Sequence, residues 1–306
     1  MFNVDTSVDR QRSLTRPSWF SIAFSYQGSV IPEIIPRVLF CGFFGLFIYI
    51  LYCLNLRVSY PGLAVLIPSL VLGLLLVFRT NTAYERFWEG RKAWGIIVAN
   101  IRNLARQILV TIPSQASESE KIAALNLLAA FAIACNLHLR HEPINSKLEP
   151  LVSPYQYQKL QSMNHPPLQI MFWFSKYLQS TYKQGYLQIY QLNSLHLLVN
   201  NLVEAISSCE RIQNTPIPLA YAIHLKQLLL IYCLSLPFQV VGQVEWLTPI
   251  IVSLVSFTLL GIEEIGIQIE DPFGRDAYDL PLDVICKNIL RNLNDLMNVY
   301  SHEEQS

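Results

Sequence analysis

Residues Val58 to Phe78, VSYPGLAVLIPSLVLGLLLVF, form a run of 21 residues without a charged side chain. As an α-helix rising about 1.5 Å per residue, the run is long enough to cross a hydrocarbon layer of about 30 Å. The charge then begins abruptly at Arg79, and Glu85, Arg86, Glu89, Arg91 and Lys92 follow on what reads as the same helix continuing into water. Trp88 and Trp94 stand where aromatic side chains gather at a membrane surface. A helix leaving the membrane in this way can serve as a pore wall.

Three more uncharged runs accompany it. Val38–Leu56 lies between Arg37 and Arg57, and Gln227–Val244 and Trp246–Ile262 are separated by Glu245 alone. The links LRVSYPG, with its Pro61-Gly62 turn, and Glu245 are short enough to make each pair an antiparallel hairpin. The expected plan is an N-terminal cytoplasmic or interfacial segment 1–36, crossings over 37–57, 58–78, 227–244 and 246–265, a cytoplasmic helical region 79–226 and a C-terminal segment 266–306. Pro237 should kink or shorten the third crossing, because it removes a hydrogen bond and crowds the preceding turn. In the middle region, Ser117 with Glu120 three residues on reads as a capping box opening a helix to Arg140. A second helix is expected near Gln184–Arg211 and a weaker one near Gln169–Tyr182.

The chain is 52% hydrophobic and only 14% charged, against about 25% charged in soluble domains. This composition fits an all-α, multi-pass protein whose partner is the lipid bilayer. Lys plus Arg balances Asp plus Glu at 22 each, so no basic excess points to nucleic acid. Arginines 10, 12, 16 and 37 precede the first crossing and 79, 86, 91, 102 and 106 follow the second, whereas the first hairpin loop has Arg57 alone. The positive-inside rule then puts both termini and the middle region in the cytoplasm. Six cysteines without a CxxC spacing read as buried or lipid-facing thiols.

Leu70, Leu74 and Phe78 recur every fourth residue and so share one stripe of the second crossing. Facing a symmetry axis, the stripe would be a hydrophobic constriction; facing elsewhere, it is a lipid or helix contact. Glu263 and Glu264 fall near the end of the fourth crossing, where carboxylates are either functional or already in headgroups. Gln268, Asp271, Asp276 and Asp279 lie in an acidic turn, GIQIEDPFGRDAYDLPL, which offers oxygen ligands of the kind calcium takes or is simply a solvated turn. His138 and His141, with Glu142 beside them, have the i, i+3 spacing that can hold zinc once a third ligand arrives. GxxxxGK[ST], HExxH and GxSxG are all missing, and with them the sequence marks of phosphate cradling, zincin chemistry and a serine nucleophile. Nothing in these patterns points to an enzyme.

The segments FRTNTAYERFWEGRKAWG, CERIQNTPIPLAYAIHLKQ and IEDPFGRDAYDLPLDVI resemble the bestrophin family of ion channels in its shorter, prokaryotic form. The resemblance implies a homopentamer around one axial pore passing small inorganic ions, with a neck at Leu70, Leu74 and Phe78 and a cytoplasmic aperture near Tyr190. Animal members bind calcium in the acidic turn. The matching side chains are Asp276 and Asp279, with backbone help from Gln268 and Asp271, but Arg275, Ala277 and Tyr278 replace the acids of some animal members. No cofactor is required, and Ca2+ remains an option. The implied function is passive conduction of monovalent anions such as chloride, in a bacterial plasma membrane or a thylakoid membrane. A cation channel of the same fold, or a non-conducting membrane scaffold or sensor, are the alternatives.

Overall fold

The computed structural model describes residues 19–23, 25–26, 28–60, 66–113 and 116–303. The regular elements among them are all helical: α1 (Trp19–Ala23), α2 (Ile31–Cys53), α3 (Leu66–Thr111), α4 (Glu118–Leu139), α5 (Pro154–Gln161), α6 (Pro166–Lys183), α7 (Ile189–Asn214), α8 (Leu219–Val244), α9 (Thr248–Gln268) and α10 (Leu282–Glu303), with short 3-10 turns at Glu149–Leu151 and Glu245–Leu247. The Pro61-Gly62 turn lies outside the described residues. The chain divides into two compact units, residues 1–61 with 236–264 and residues 62–235 with 265–306.

In the first unit α2 approaches α9 closely. A Cβ added to Gly42 would collide with Ser253 Oγ, and one on Gly45 would lie 3.3 Å from Pro249 Cα and Val252 Cβ. Small residues one turn apart let two apolar helices meet without water, which is how membrane helices find packing energy. Phe44 meets Phe238 edge-on with ring centroids 6.0 Å apart. The opposite side of α2, with Leu39, Phe40, Phe43 and Phe47, is exposed and apolar, as a lipid-facing side should be.

The helix that carries the first expected crossing differs in its bounds from the uncharged run. It is Ile31–Cys53 rather than 37–57, because Pro32 falls in the first turn, where a missing N–H costs nothing. Asn55, at φ 62°, ends the chain's helical course before Arg57. The helices that carry the later expected crossings also extend past the uncharged runs. α8 begins eight residues before Gln227 and runs through Pro237 without ending there, and α9 continues to Gln268.

The core of the second unit is built by α3, α4, α6, α7 and α10. Trp94, Ile97, Ile101 and Leu104 of α3, Leu128 and Phe131 of α4, Phe174 of α6, Leu202 of α7 and Ile289 of α10 join one buried cluster. α4 is long and apolar enough to cross a membrane, yet 78% of its apolar window is buried inside the protein, so it is a core helix. Ser117 precedes α4 but caps nothing with its side chain; its Oγ lies 2.8 Å from Ser119 Oγ, and the expected box with Glu120 does not form. A box does open α7, where Gln188 and Gln191 satisfy each other's backbone N–H groups. That helix starts at Ile189, later than expected, and the weak helical stretch near 169–182 is the full 18-residue α6.

Candidate functional site

α3 is 46 residues long, so it rises about 69 Å, more than twice the thickness of a bilayer core. Its sides differ sharply. Leu70, Leu74 and Phe78 are 65%, 50% and 61% exposed, whereas Leu72 and Leu76 are 2% exposed. The exposed ridge continues at helical spacing through Asn81, Glu85, Trp88, Lys92, Ile96, Ala99, Arg106 and Val110. The three residues of the apolar stripe therefore share one open face, and that face runs the length of the helix. Tyr190, at the second position of α7, is 69% exposed.

Where α3 turns from apolar to charged, Arg79 points inward and is only 4% exposed. Its Nη2 donates to Glu270 Oε2 at 3.2 Å, while Nε and Nη1 are buried without a hydrogen-bond partner among the described residues. The other oxygen of Glu270 accepts from Ile217 N, 3.1 Å away, and its carbonyl accepts from Arg86 Nε at 3.0 Å. Arg86 also donates to the carbonyls of Ile212 (2.7 Å) and Thr215, which closes the end of α7. Glu270 is thus the hub that joins α3, the α7–α8 link and the chain following α9. No spacing in the sequence connects these positions.

In the first unit, Glu263 and Glu264 are both buried near the end of α9. Arg37 Nη1 donates to Glu264 Oε2 at 3.0 Å and lies 3.9 Å from Glu263 Oε2. The two carboxylates face an arginine rather than bare hydrocarbon.

The acidic turn is held from within. Asp279 Oδ2 accepts from Asp276 N at 2.7 Å, and Asp271 Oδ1 accepts from Phe273 N at 3.2 Å. Phe273 is fully buried, against Gly90 of α3. Arg140 Nε donates to the carbonyls of Phe273 and Gly274, both at 3.1 Å, and Arg140 Nη1 to Asp283 Oδ2 at 2.6 Å. Arg275 reaches Glu142 through Nε and Nη2, both at 2.7 Å. Burial pushes the Asp279 carboxyl up, against the pull of the Asp276 N–H. Burial also opposes the charge of Asp283, but hydrogen bonds from Arg140 and Lys147 outweigh it and hold this carboxyl at about 2. The thiols of Cys209 and Cys286 are pushed up to about 12 by burial, so they stay protonated.

Among the described residues, the ligand-bearing group that gathers three members within 4.8 Å is His138, His165 and Glu210. His141 is not part of it, and neither are Asp271, Asp276 and Asp279. Sequence spacing set His138 beside His141, whereas the side chains that meet His138 are His165, which immediately precedes α6, and Glu210 of α7.

A long helix with an open apolar stripe, a buried arginine at the membrane junction and a helical core beyond it define a helical integral membrane protein. A sequence model described as Bacterial/Fungal Bestrophin protein matches residues 11–295, and the chain belongs to that family. It is 57% identical over 297 residues to the voltage-dependent anion channel-forming protein alr2987 of Nostoc sp., covering 95% of this chain and 97% of the relative. It is 31% identical over 289 residues to the voltage-dependent anion channel-forming protein YneE of Escherichia coli K12, covering 92% and 94%. A crystal structure of a bacterial bestrophin homolog from Klebsiella pneumoniae, carrying a point mutation, matches with TM-score 0.82 at 26% identity, over 86% of this chain and 98% of that one. A second crystal structure of that homolog, with a different mutation, matches with TM-score 0.82 over 87% and 99%.

Proposed function

We propose that the chain is one subunit of a homopentameric channel that passes monovalent anions such as chloride down their gradient. Its relatives' description as anion channel-forming proteins supports the ion and its sign. The observation that carries the pore is the open face of α3, where Leu70, Leu74 and Phe78 project together while the other side of the helix is packed. Five copies of this face around an axis make a narrow apolar ring, which closes to ions when water leaves it. Closed cyclic symmetry supplies the copies, since a few crossings enclose no water path of their own. Tyr190 forms a second constriction on the cytoplasmic side. The N- and C-termini are cytoplasmic, in a plasma or thylakoid membrane.

Calcium has no step in this reading. Of the oxygens the turn could offer a hard cation, the Phe273 and Gly274 carbonyls are taken by Arg140 and Asp279 Oδ2 by the Asp276 N–H. Arg275 adds positive charge where a cation would gain from acids, so the residues present fit Ca2+ poorly.

The decisive measurement is the reversal potential of purified protein in a bilayer with asymmetric salt. A shift toward the chloride equilibrium potential supports anion conduction, a shift toward the cation potential replaces it with a cation channel, and no current leaves a scaffold. Changing Leu70, Leu74 and Phe78 together to Ala should raise flux severalfold in a protein that still assembles; unchanged flux would remove the neck from that face.

A further inference from the structure

We propose that His138, His165 and Glu210 form a binding site for a borderline divalent transition-metal cation of the Zn2+ class. The three side chains come from α4, α7 and the residue that caps α6, all in the second unit. His138 is in the last turn of α4, Glu210 in the last turns of α7, and His165 immediately precedes α6. His138 Nε2 lies 2.7 Å and His165 Nε2 2.8 Å from the same oxygen, Glu210 Oε1. The two imidazoles face each other with centroids 4.6 Å apart and planes inclined by 33°. Two imidazole nitrogens and one carboxylate are a donor set that suits zinc, with a fourth position left for water.

The geometry fits the metal-free form of such a site. Around a tetrahedral ion with bonds of about 2.0–2.1 Å, ligand atoms stand roughly 3.3 Å apart. The pairs here, at 2.7 and 2.8 Å, would open by about 0.6 Å, a small rotation of partly exposed side chains. A cavity of about 520 Å³ beside the cluster is lined by His138 and His141, and a second of about 850 Å³ is lined by His165. A hydrated ion can therefore reach the site from solvent.

Local structure also explains why a histidine stands at position 165 and what loading it demands. Pro166 and Pro167 fill the first two positions of α6 and carry no N–H, so the first unsatisfied donor is Leu168 N, which His165 Nδ1 accepts at 3.1 Å. That bond puts the neutral ring's proton on Nε2, facing Glu210. On metal binding the proton moves to Nδ1, Nε2 takes the cation, and the exposed Leu168 N–H turns to water. Asn at position 165 keeps a capping oxygen for Leu168 and removes the metal ligand, so it separates the two roles of the ring.

The test uses untagged full-length protein in detergent, freed of metal by a chelator and titrated with Zn2+ alone by calorimetry, with Co2+ absorption as a second reading. The expected result is one Zn2+ per chain and a d–d spectrum of four-coordinate character. His165→Asn and Glu210→Gln should each weaken binding at least about tenfold while oligomeric size and helix content are unchanged. Zn2+ should also raise the midpoint of thermal unfolding in the parent but not in His165→Asn. No saturable binding below about 1 mM, or binding that both variants retain, overturns the site and leaves two hydrogen bonds that staple three helices.

Discussion

Replacing Glu270 by Gln tests the hub at the membrane junction, because it removes one charge and little volume. The partner, Arg79, is 4% exposed, and among the described residues its side chain hydrogen-bonds to Glu270 at 3.2 Å. At an effective dielectric constant of about 20, unit charges at that separation attract by roughly 5 kcal/mol before desolvation is counted. Loss of one member of a buried pair costs about 3–5 kcal/mol. The Glu270 side chain is 20% exposed, so the lower end, about 3 kcal/mol, applies. With about 2 °C per kcal/mol for a chain of this size, the midpoint should fall by roughly 6 °C. Arg79→Met should cost less, because it removes a buried cation together with two donors that have no partner among the described residues. The double variant should then resemble Arg79→Met alone, a coupling of about 3 kcal/mol, equal to the Glu270→Gln loss. Thermal unfolding in one detergent at one scan rate, followed by tryptophan fluorescence, provides the comparison. An unchanged midpoint in Glu270→Gln, or losses that simply add in the double variant, would refute the hub.

Three further outcomes follow from packing and charge. Phe273→Ala should destabilise by about 3–5 kcal/mol, as deletion of a fully buried aromatic does, and Gly90→Ala should cost about 1–3 kcal/mol because its Cβ would stand 3.1 Å from that ring; denaturant unfolding reads both, and Phe273→Leu should offset much of the Gly90→Ala loss. Asp283 has its carboxyl lowered to about 2, so its contribution is complete above its unfolded value near 4 and disappears as pH falls through about 2; Asp283→Asn should flatten stability across that interval, as unfolding midpoints at stepped acid pH will show. Channel current should be unchanged when contaminating Ca2+ is chelated, and loss of current on chelation, restored by Ca2+, would return the acidic turn to a gating role.

The sequence made the membrane segments visible because their signal is compositional: an uncharged run needs no knowledge of its neighbours. The stripe of Leu70, Leu74 and Phe78 was legible for a related reason, since helical spacing fixes which side chains share a face. What that spacing could not supply was which face stays open, and the buried set of Leu72, Leu76 and Arg79 settles it. Boundaries were less legible. Arg37 reads as the edge of the first crossing by charge, yet it lies inside α2 and directs its guanidinium to Glu264, so its charge is answered from another helix. Ser117 and Glu120 have the letters of a capping box without forming one, because a local pattern states only a possibility.

The least legible features are those made by side chains distant in sequence. His138 and Glu210 are 72 residues apart, and Arg79 and Glu270 are 191 apart. Both meetings depend on how helices of the second unit pack, and no periodicity encodes them. Each carries a consequence that local reading inverts. The i, i+3 pair His138 and His141 suggests a site made by one helix end, but His141 sits at φ 54° beyond α4 and outside the cluster. The ligand that completes the group is instead a residue placed by the capping need of α6. The same logic holds at the junction. Arg79 looks, by position, like a charge that marks where a helix enters water, whereas its burial makes it an internal tie, and the exposed stripe beside it stays apolar because the nearest charge has been turned inward.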